Sequence, residues 1–321
     1  MYVGRDRFLA AAFRCADPTD TTADCPTSNI LMASRDGVHW SILGDLPGSD
    51  ATRRTSISTI QEDERGLFLG GLTVSGTTTQ VGLWWSADGT DWKSLTDQPA
   101  FTSSACDRSA DSIGAFYPIG DSLIAVGSAA WRSIDGQTWQ CLGPVPDLRV
   151  TGGHDLLVGA GGTDPTSADN FLWLSRDGVS WQQTTETPDF MTPTPVADGF
   201  VALGQSFQAA PTALLTSADG ETWTQQPVPF GTEILNENGR LESDGTRTVV
   251  VEDAPQATAE SPGDVWVSST DGSTWTRYPL PRHPSDYAQF SAVLGDRVVV
   301  AGDQEPGSAY GDELIWTATI P

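Results

Sequence analysis

Ser133-Ile-Asp135-Gly136-Gln-Thr-Trp139 is one of six copies of a heptad, S-x-D-G-x-x-W. The other copies start at Ser34, Ser86, Ser175, Ser217 and Ser269, so successive serines lie 52, 47, 42, 42 and 52 residues apart. Asp-Gly between two apolar runs is a hairpin signal, because Gly takes a positive φ without steric cost. The carboxylates of Asp36, Asp88, Asp135, Asp177, Asp219 and Asp271 can accept bonds from turn amides, and the serine hydroxyl can tie the turn together. The tryptophan then opens the next strand as an apolar wedge between neighbouring units. These aspartates are therefore read as structural.

Upstream of each heptad lie two more strand-like runs. In the third unit they are Gly114–Ile119 and Ser122–Gly127, split by Gly120-Asp121, and in the fifth Thr194–Ala197 and Phe200–Gly204, split by Asp198-Gly199. Each unit thus has four short strands, A to D, with the heptad joining C to D. A seventh unit lacks the heptad: Phe290–Leu294, Arg297–Gly302 and Leu314–Ile320 read as strands A to C. Seven units in 321 residues average about 46 each, the period of four-stranded propeller blades.

The expectation is an all-β, seven-bladed β-propeller of four-stranded antiparallel blades, the last without its own outer strand. One domain spans 1–321, with blades near 1–45, 46–97, 98–145, 146–186, 187–228, 229–279 and 280–321. A six-blade ring is the alternative. Residues at or before the N-terminus are expected to supply the missing strand. No sustained 3.6-residue apolar period occurs, so helices should be nearly absent.

The heptad resembles the Asp-box, or BNR repeat, of sialidase-like β-propellers, whose usual form is S-x-D-x-G-x-T-W. All six copies lack one residue between Asp and Gly. The resemblance implies architecture rather than activity, since such propellers include sialidases, other glycosidases, lectins, sorting receptors and assembly factors. It also implies what a sialidase would carry: an R-I-P-like motif, three carboxylate-clamping arginines and a Tyr–Glu nucleophile pair. No R-I-P or R-V-P sequence occurs, and none of the five tyrosines matches the nucleophile.

Composition narrows the partners. With 42 acidic against 17 basic residues the net charge is −25, which disfavours a nucleic-acid partner, and no apolar run is long enough to span a membrane. Cys15 and Cys25 bracket one loop and Cys106 and Cys141 share one unit, so disulfides Cys15–Cys25 and Cys106–Cys141 are expected, in an extracellular or other extracytoplasmic compartment. No leader is present at Met1-Tyr2-Val3-Gly4-Arg5-Asp6.

Ligands of propellers bind where the D-to-A and B-to-C loops meet the channel mouth, opposite the heptads. Arg54, Arg108, Arg149, Arg240 and Arg282 precede or begin strand A in five blades, with Asp286 and Tyr287 beside them. Arginine forks bind carboxylate, sulfate or phosphate. The competing reading is that each arginine pairs with a nearby carboxylate and fastens blade to blade. The functional expectation is a secreted, non-catalytic propeller recognising a glycan, a peptide or an extracellular protein surface through this mouth and the B–C loops. The alternative is a glycoside hydrolase, with its carboxylate pair drawn from Asp107, Asp111, Asp189 and Glu233. No cofactor is expected. Asp17, Asp20 and Asp24 could hold calcium, and no metal site is assigned.

Overall fold

The computed structural model describes the chain apart from residues 16–26, 48–52, 103–105, 107–111, 147, 162–170, 185–192, 205–212, 229–240, 252–263, 270–273, 281–286, 304–312 and 321. Its strands form seven consecutive antiparallel meanders, six of four strands and a last one of three. Sheet 1 holds Tyr2–Val3, Phe8–Cys15, Thr27–Ser34 and Ser41–Asp45. Sheet 2 holds Arg53–Asp63, Gly66–Ser75, Thr78–Ser86 and Lys93–Ser94. Sheet 3 holds Ala115–Ile119, Ser122–Val126, Ala129–Ser133 and Gln140–Pro144. Sheet 4 holds Arg149–Gly153, Leu156–Gly161, Phe171–Ser175 and Gln182–Gln183. Sheet 5 holds Thr194–Val196, Gly199–Gly204, Ala213–Ser217 and Thr224–Pro227. Sheet 6 holds Leu241–Ser243, Thr248–Val251, Asp264–Ser268 and Trp275–Pro279. Sheet 7 holds Tyr287–Leu294, Arg297–Asp303 and Glu313–Thr319. Within each sheet the strands follow chain order, A to D in sheets 1 to 6 and A to C in sheet 7, as in the blades of a β-propeller.

Two compact units result, one holding sheets 1 to 4 and the other sheets 5 to 7. In the first, strand A of each sheet touches strand A of the next; in the second, strand A of sheet 6 touches those of sheets 5 and 7. Sheets stacked face to face bury both surfaces of their B strands, which explains the buried apolar runs Leu67–Leu69, Leu123–Val126, Leu156–Val158 and Phe200–Leu203 at their centres. In sheet 3, Leu123 joins the core shared with sheet 2, while its neighbour Ile124 joins the core shared with sheet 4. That is the two-residue alternation of a strand, with apolar groups on both faces.

The N-terminal strand Tyr2–Val3 pairs with Phe8–Leu9 inside sheet 1, so these residues do not supply the outer strand of sheet 7. Among the described residues the one helix is Pro99–Thr102, in the connection from sheet 2 to sheet 3. It seats Phe101 on Trp131, and the Trp131 indole N–H donates to the Ala100 carbonyl. A disulfide ties the same connection, through Cys106, to Cys141 in strand D of sheet 3, with Cα atoms 6.0 Å apart. Cys25 lies outside the described residues, and with it the other expected bridge. No helix among the described residues is long and apolar enough to cross a membrane.

Candidate functional site

At one end of each sheet are the A–B turns and the heptads; at the other are the B–C loops and the entry to strand A. The heptad end is built from local chemistry. In sheet 3, Asp135 Oδ1 accepts bonds from the Gln137 and Thr138 amides at 2.8 and 2.7 Å, and Ser133 Oγ donates to it at 3.1 Å. Asp36, Asp88, Asp177 and Asp219 likewise accept amide bonds from their own turns. The heptad glycines of sheets 1 to 5 all have a left-handed φ, from 74° to 90°. Gly136 has a second constraint: a Cβ there would lie 2.6 Å from the Phe68 ring of sheet 2. Asp271 lies outside the described residues.

The sixth copy is built differently. In sheets 2, 3 and 4 the heptad serine follows a strand-C tryptophan by two residues, and that spacing in sheet 6 selects Ser268, not Ser269. Ser268 is buried, accepts from the Thr248 amide at 2.8 Å and pairs in register with Trp275. The hairpin is therefore one residue longer, which the motif alone disguised because two serines are adjacent.

Amide bonding holds the carboxylates of Asp88, Asp135 and Asp219 below the usual range. For Asp135 the Thr138 amide is the main cause, bringing its pKa from 3.8 to about 2; in Asp219 the Thr222 and Glu221 amides act in the same direction. A depressed folded-state pKa contributes stability that is present above pH ~4 and is lost as pH falls through about 2. Asp135→Asn is therefore expected to melt below the parent at neutral pH, with the gap closing between pH ~4 and ~2. Thermal melts across that window check it, and a gap independent of pH would contradict it.

Tryptophans fill the spaces between sheets. Trp92 packs in the core between sheets 1 and 2, Trp139 between 2 and 3, Trp181 between 3 and 4, and Trp275 between 5 and 6. Strand-C tryptophans join the same cores: Trp84, Trp131, Trp266 and Trp316. Tyr117 of sheet 3 donates its hydroxyl to the Val150 carbonyl of sheet 4 and lies against Gly152. It is a packing residue.

At the opposite end, Arg54 and Arg149 stand at the start of strand A in sheets 2 and 4. Both are exposed, and neither has a side-chain partner among the described residues. The fasteners lie instead at the heptad end. Arg7 of sheet 1 grips Glu62 of sheet 2 with Nε and a terminal nitrogen. Arg65 pairs with Asp63 at 2.8 Å and donates to the Asp121 and Ile134 carbonyls of sheet 3. No sequence signal separated these arginines from Arg54 and Arg149. What separates them is position: Arg7 and Arg65 sit in A–B turns, where the next sheet presents its own turns. Arg108, Arg240, Arg282, Asp286, Asp107, Asp111, Asp189 and Glu233 lie outside the described residues, as do Asp17, Asp20 and Asp24. Tyr287 opens strand A of sheet 7, paired in register with Asp303.

A cavity of about 630 Å³ opens between sheets 5 and 6 at the heptad end. Hydroxyls of Thr216, Thr224, Thr246 and Thr248 line it, with Trp275 on one wall. Its carboxylates include Asp219, whose Oδ1 already takes two amides and the Ser217 hydroxyl.

Comparison with known protein families and with curated proteins returns no match. Solved structures do match. YCF48 bound to D1 peptide superposes with a TM-score of 0.51 at 16% identity, over 80% of this chain and 76% of that one. The β-propeller domain of the Trilobed protease from Pyrococcus furiosus gives 0.53 at 9% identity, over 98% and 90%. An acylaminoacyl peptidase of Pyrococcus horikoshii gives 0.55 at 8% identity, over 98% of this chain and 50% of that one. At these identities the likeness is one of fold.

Proposed function

We propose that the chain is a non-catalytic, Asp-box-type binding propeller that works outside the cytoplasm and takes a polypeptide partner. Recognition is assigned to the end where strands A begin. The observation that carries this is the state of Arg54 and Arg149: exposed guanidinium groups without a carboxylate partner among the described residues, in a chain of net charge −25. Each can offer a two-pronged donor to a carboxylate of the partner. The heptad aspartates of sheets 1 to 5, whose oxygens are engaged by their own turns, belong to the scaffold. YCF48, a propeller of the same fold seen bound to D1 peptide, supports a polypeptide as the partner class. The Cys106–Cys141 disulfide supports an oxidising compartment.

A glycan is the second reading. The hydroxyl-lined cavity between sheets 5 and 6, with the indole of Trp275 in its wall, supports it. Hydrolysis of a glycoside would need a carboxylate pair about 5–9.5 Å apart.

Panning a displayed random-peptide library against the chain separates these readings. Peptides bearing carboxylates should be enriched, and the double variant Arg54→Glu/Arg149→Glu should bind them roughly tenfold or more weakly with an unchanged melting temperature. Equal binding by the double variant would overturn the site. Turnover of chromogenic glycosides by the parent would overturn the non-catalytic assignment.

A further inference from the structure

Beside the heptad, a cross-strand row running from strand B through C to D faces the next sheet. In sheet 2 the row is Phe68, Trp85 and Lys93, and in sheet 3 it is Ile124, Arg132 and Gln140. Phe68 and Trp85 pack into the core shared with sheet 3, and Ile124 into the core shared with sheet 4. The row of sheet 5 is Val201, Thr216 and Thr224, so two threonines stand where sheet 2 has a tryptophan and a lysine. The A–B turn differs in the same sense. Arg65, just before the left-handed Gly66, reaches two carbonyls of sheet 3, whereas the residue just before the left-handed Gly199 is the short Asp198.

The opposing wall differs too. The strand-B residue level with the heptad serine is Phe8, Leu67, Leu123, Leu157 and Phe200 in sheets 1 to 5. Leu67, Leu123 and Leu157 each fill the core shared with the preceding sheet. In sheet 6 the residue at this level is Thr248, whose amide donates to Ser268. Thr248 is buried and forms part of the cavity wall. Sheet 1 shows that a small row does not suffice: Leu9, Ala33 and Ser41 form its row, and Leu67 of sheet 2 packs into the same core. Small side chains on sheet 5 and a threonine in place of leucine on sheet 6 together leave the cavity of about 630 Å³. That volume falls within the ~300–1,000 Å³ of small-molecule sites.

We infer that this cavity is a binding site for a single uncharged pyranose sugar. The inference rests on the glycan reading above for the cavity itself, and it goes further by fixing the charge and ring chemistry of the ligand. The hydroxyls of Thr216, Thr224 and Thr248 and the amide of Gln226 can each donate and accept, as the hydroxyls of a sugar do. Val201, Leu214 and Trp275 supply an apolar wall for the C–H face of the ring. The charged groups of the wall are Asp198 and Asp219, and no cation is among the described lining residues. Carboxylated, sulfated and phosphorylated sugars are therefore disfavoured by like charge. The site shares no residue with the Arg54 and Arg149 end.

Saturation-transfer-difference NMR of the intact chain provides the test. The probes are the methyl glycosides of glucose, galactose, mannose, fucose and N-acetylglucosamine, with glucuronic acid and N-acetylneuraminic acid as acidic counterparts. At least one neutral glycoside should show saturable transfer, and the two acids none. Thr216→Trp, which copies Trp85 of sheet 2 and fills the cavity, should abolish the signal without lowering the melting temperature. Thr224→Val removes one exposed hydroxyl at nearly constant shape and should weaken binding roughly three- to tenfold. That second variant keeps the test decisive should Thr216→Trp not fold. Gln137→Ala, on the heptad turn of sheet 3, should bind as the parent does. Binding of the acids alone would overturn the uncharged ligand and leave the glycan reading standing, whereas binding of no sugar would overturn both. Parental affinity in Thr224→Val and in folded Thr216→Trp would overturn the location.

Discussion

Trp139→Ala is expected to destabilise the protein by about 3–5 kcal/mol, the range for removing a buried aromatic without collapse of its site. Collapse is blocked on every side. The Trp139 ring stands 6.4 Å from Phe68 of sheet 2, 6.3 Å from Phe116 of sheet 3 and 6.4 Å from Phe101 of the helical connection. Its indole N–H donates to the Gly136 carbonyl of its own turn at 3.2 Å. The substitution therefore opens a hole between two sheets that are each fixed by their own ladders. Gly136, at left-handed φ and against Phe68, cannot shift to fill it. The neighbouring Gln137→Ala, on the half-buried turn, should cost less than about 1 kcal/mol. Denaturant melts of the two variants make the comparison. A loss below about 1 kcal/mol for Trp139→Ala would mean that the heptad tryptophan follows the fold and does not wedge it.

How much of the fold is legible in the sequence follows from how local each signal is. The heptad is self-contained: Asp135, its two amide donors, Ser133 and Gly136 lie within six residues, so the sequence carries the whole turn. The strand B runs were legible for a related reason, since burial on both faces writes an unbroken apolar stretch such as Leu123–Val126. The short helix Pro99–Thr102 was not, because four residues do not make one period of an amphipathic pattern. Its register is set from outside: the Gln98 side chain donates to the Gln137 carbonyl and accepts from the Trp139 amide. The partners of arginines were illegible too. Arg7 finds Glu62 at a separation of 55 residues. Arg65, whose carboxylate partner Asp63 is two residues away, reaches the Asp121 and Ile134 carbonyls 56 and 69 residues away, across a sheet boundary that spacing does not encode. The candidate site depends on such distant placements, so sequence pointed to arginines at strand A without telling fastener from free donor.

Replacing both Cys106 and Cys141 by serine is expected to cost about 4 kcal/mol, from the chain-entropy relation applied to a closed loop of sequence separation 35. That loop contains the whole of strands A, B and C of sheet 3, so the crosslink restrains most of one blade in the unfolded chain. The folded-state contribution adds to it. Cys106 is buried in the aromatic core with Phe101, Trp131 and Trp139, and a hydroxyl in that position lacks the apolar match of the sulfur. Reduction of the parent with dithiothreitol should lower its melting temperature about as much as the double substitution does, and should have no effect on the double variant. Because the Pro99–Thr102 connection is held to sheet 3 by this bond and by Phe101, the variant should also show faster amide exchange there than in sheet 4. Equal melting of the parent with and without reductant would remove the disulfide from the stabilising features of sheet 3, and with it the main structural support for an oxidising compartment.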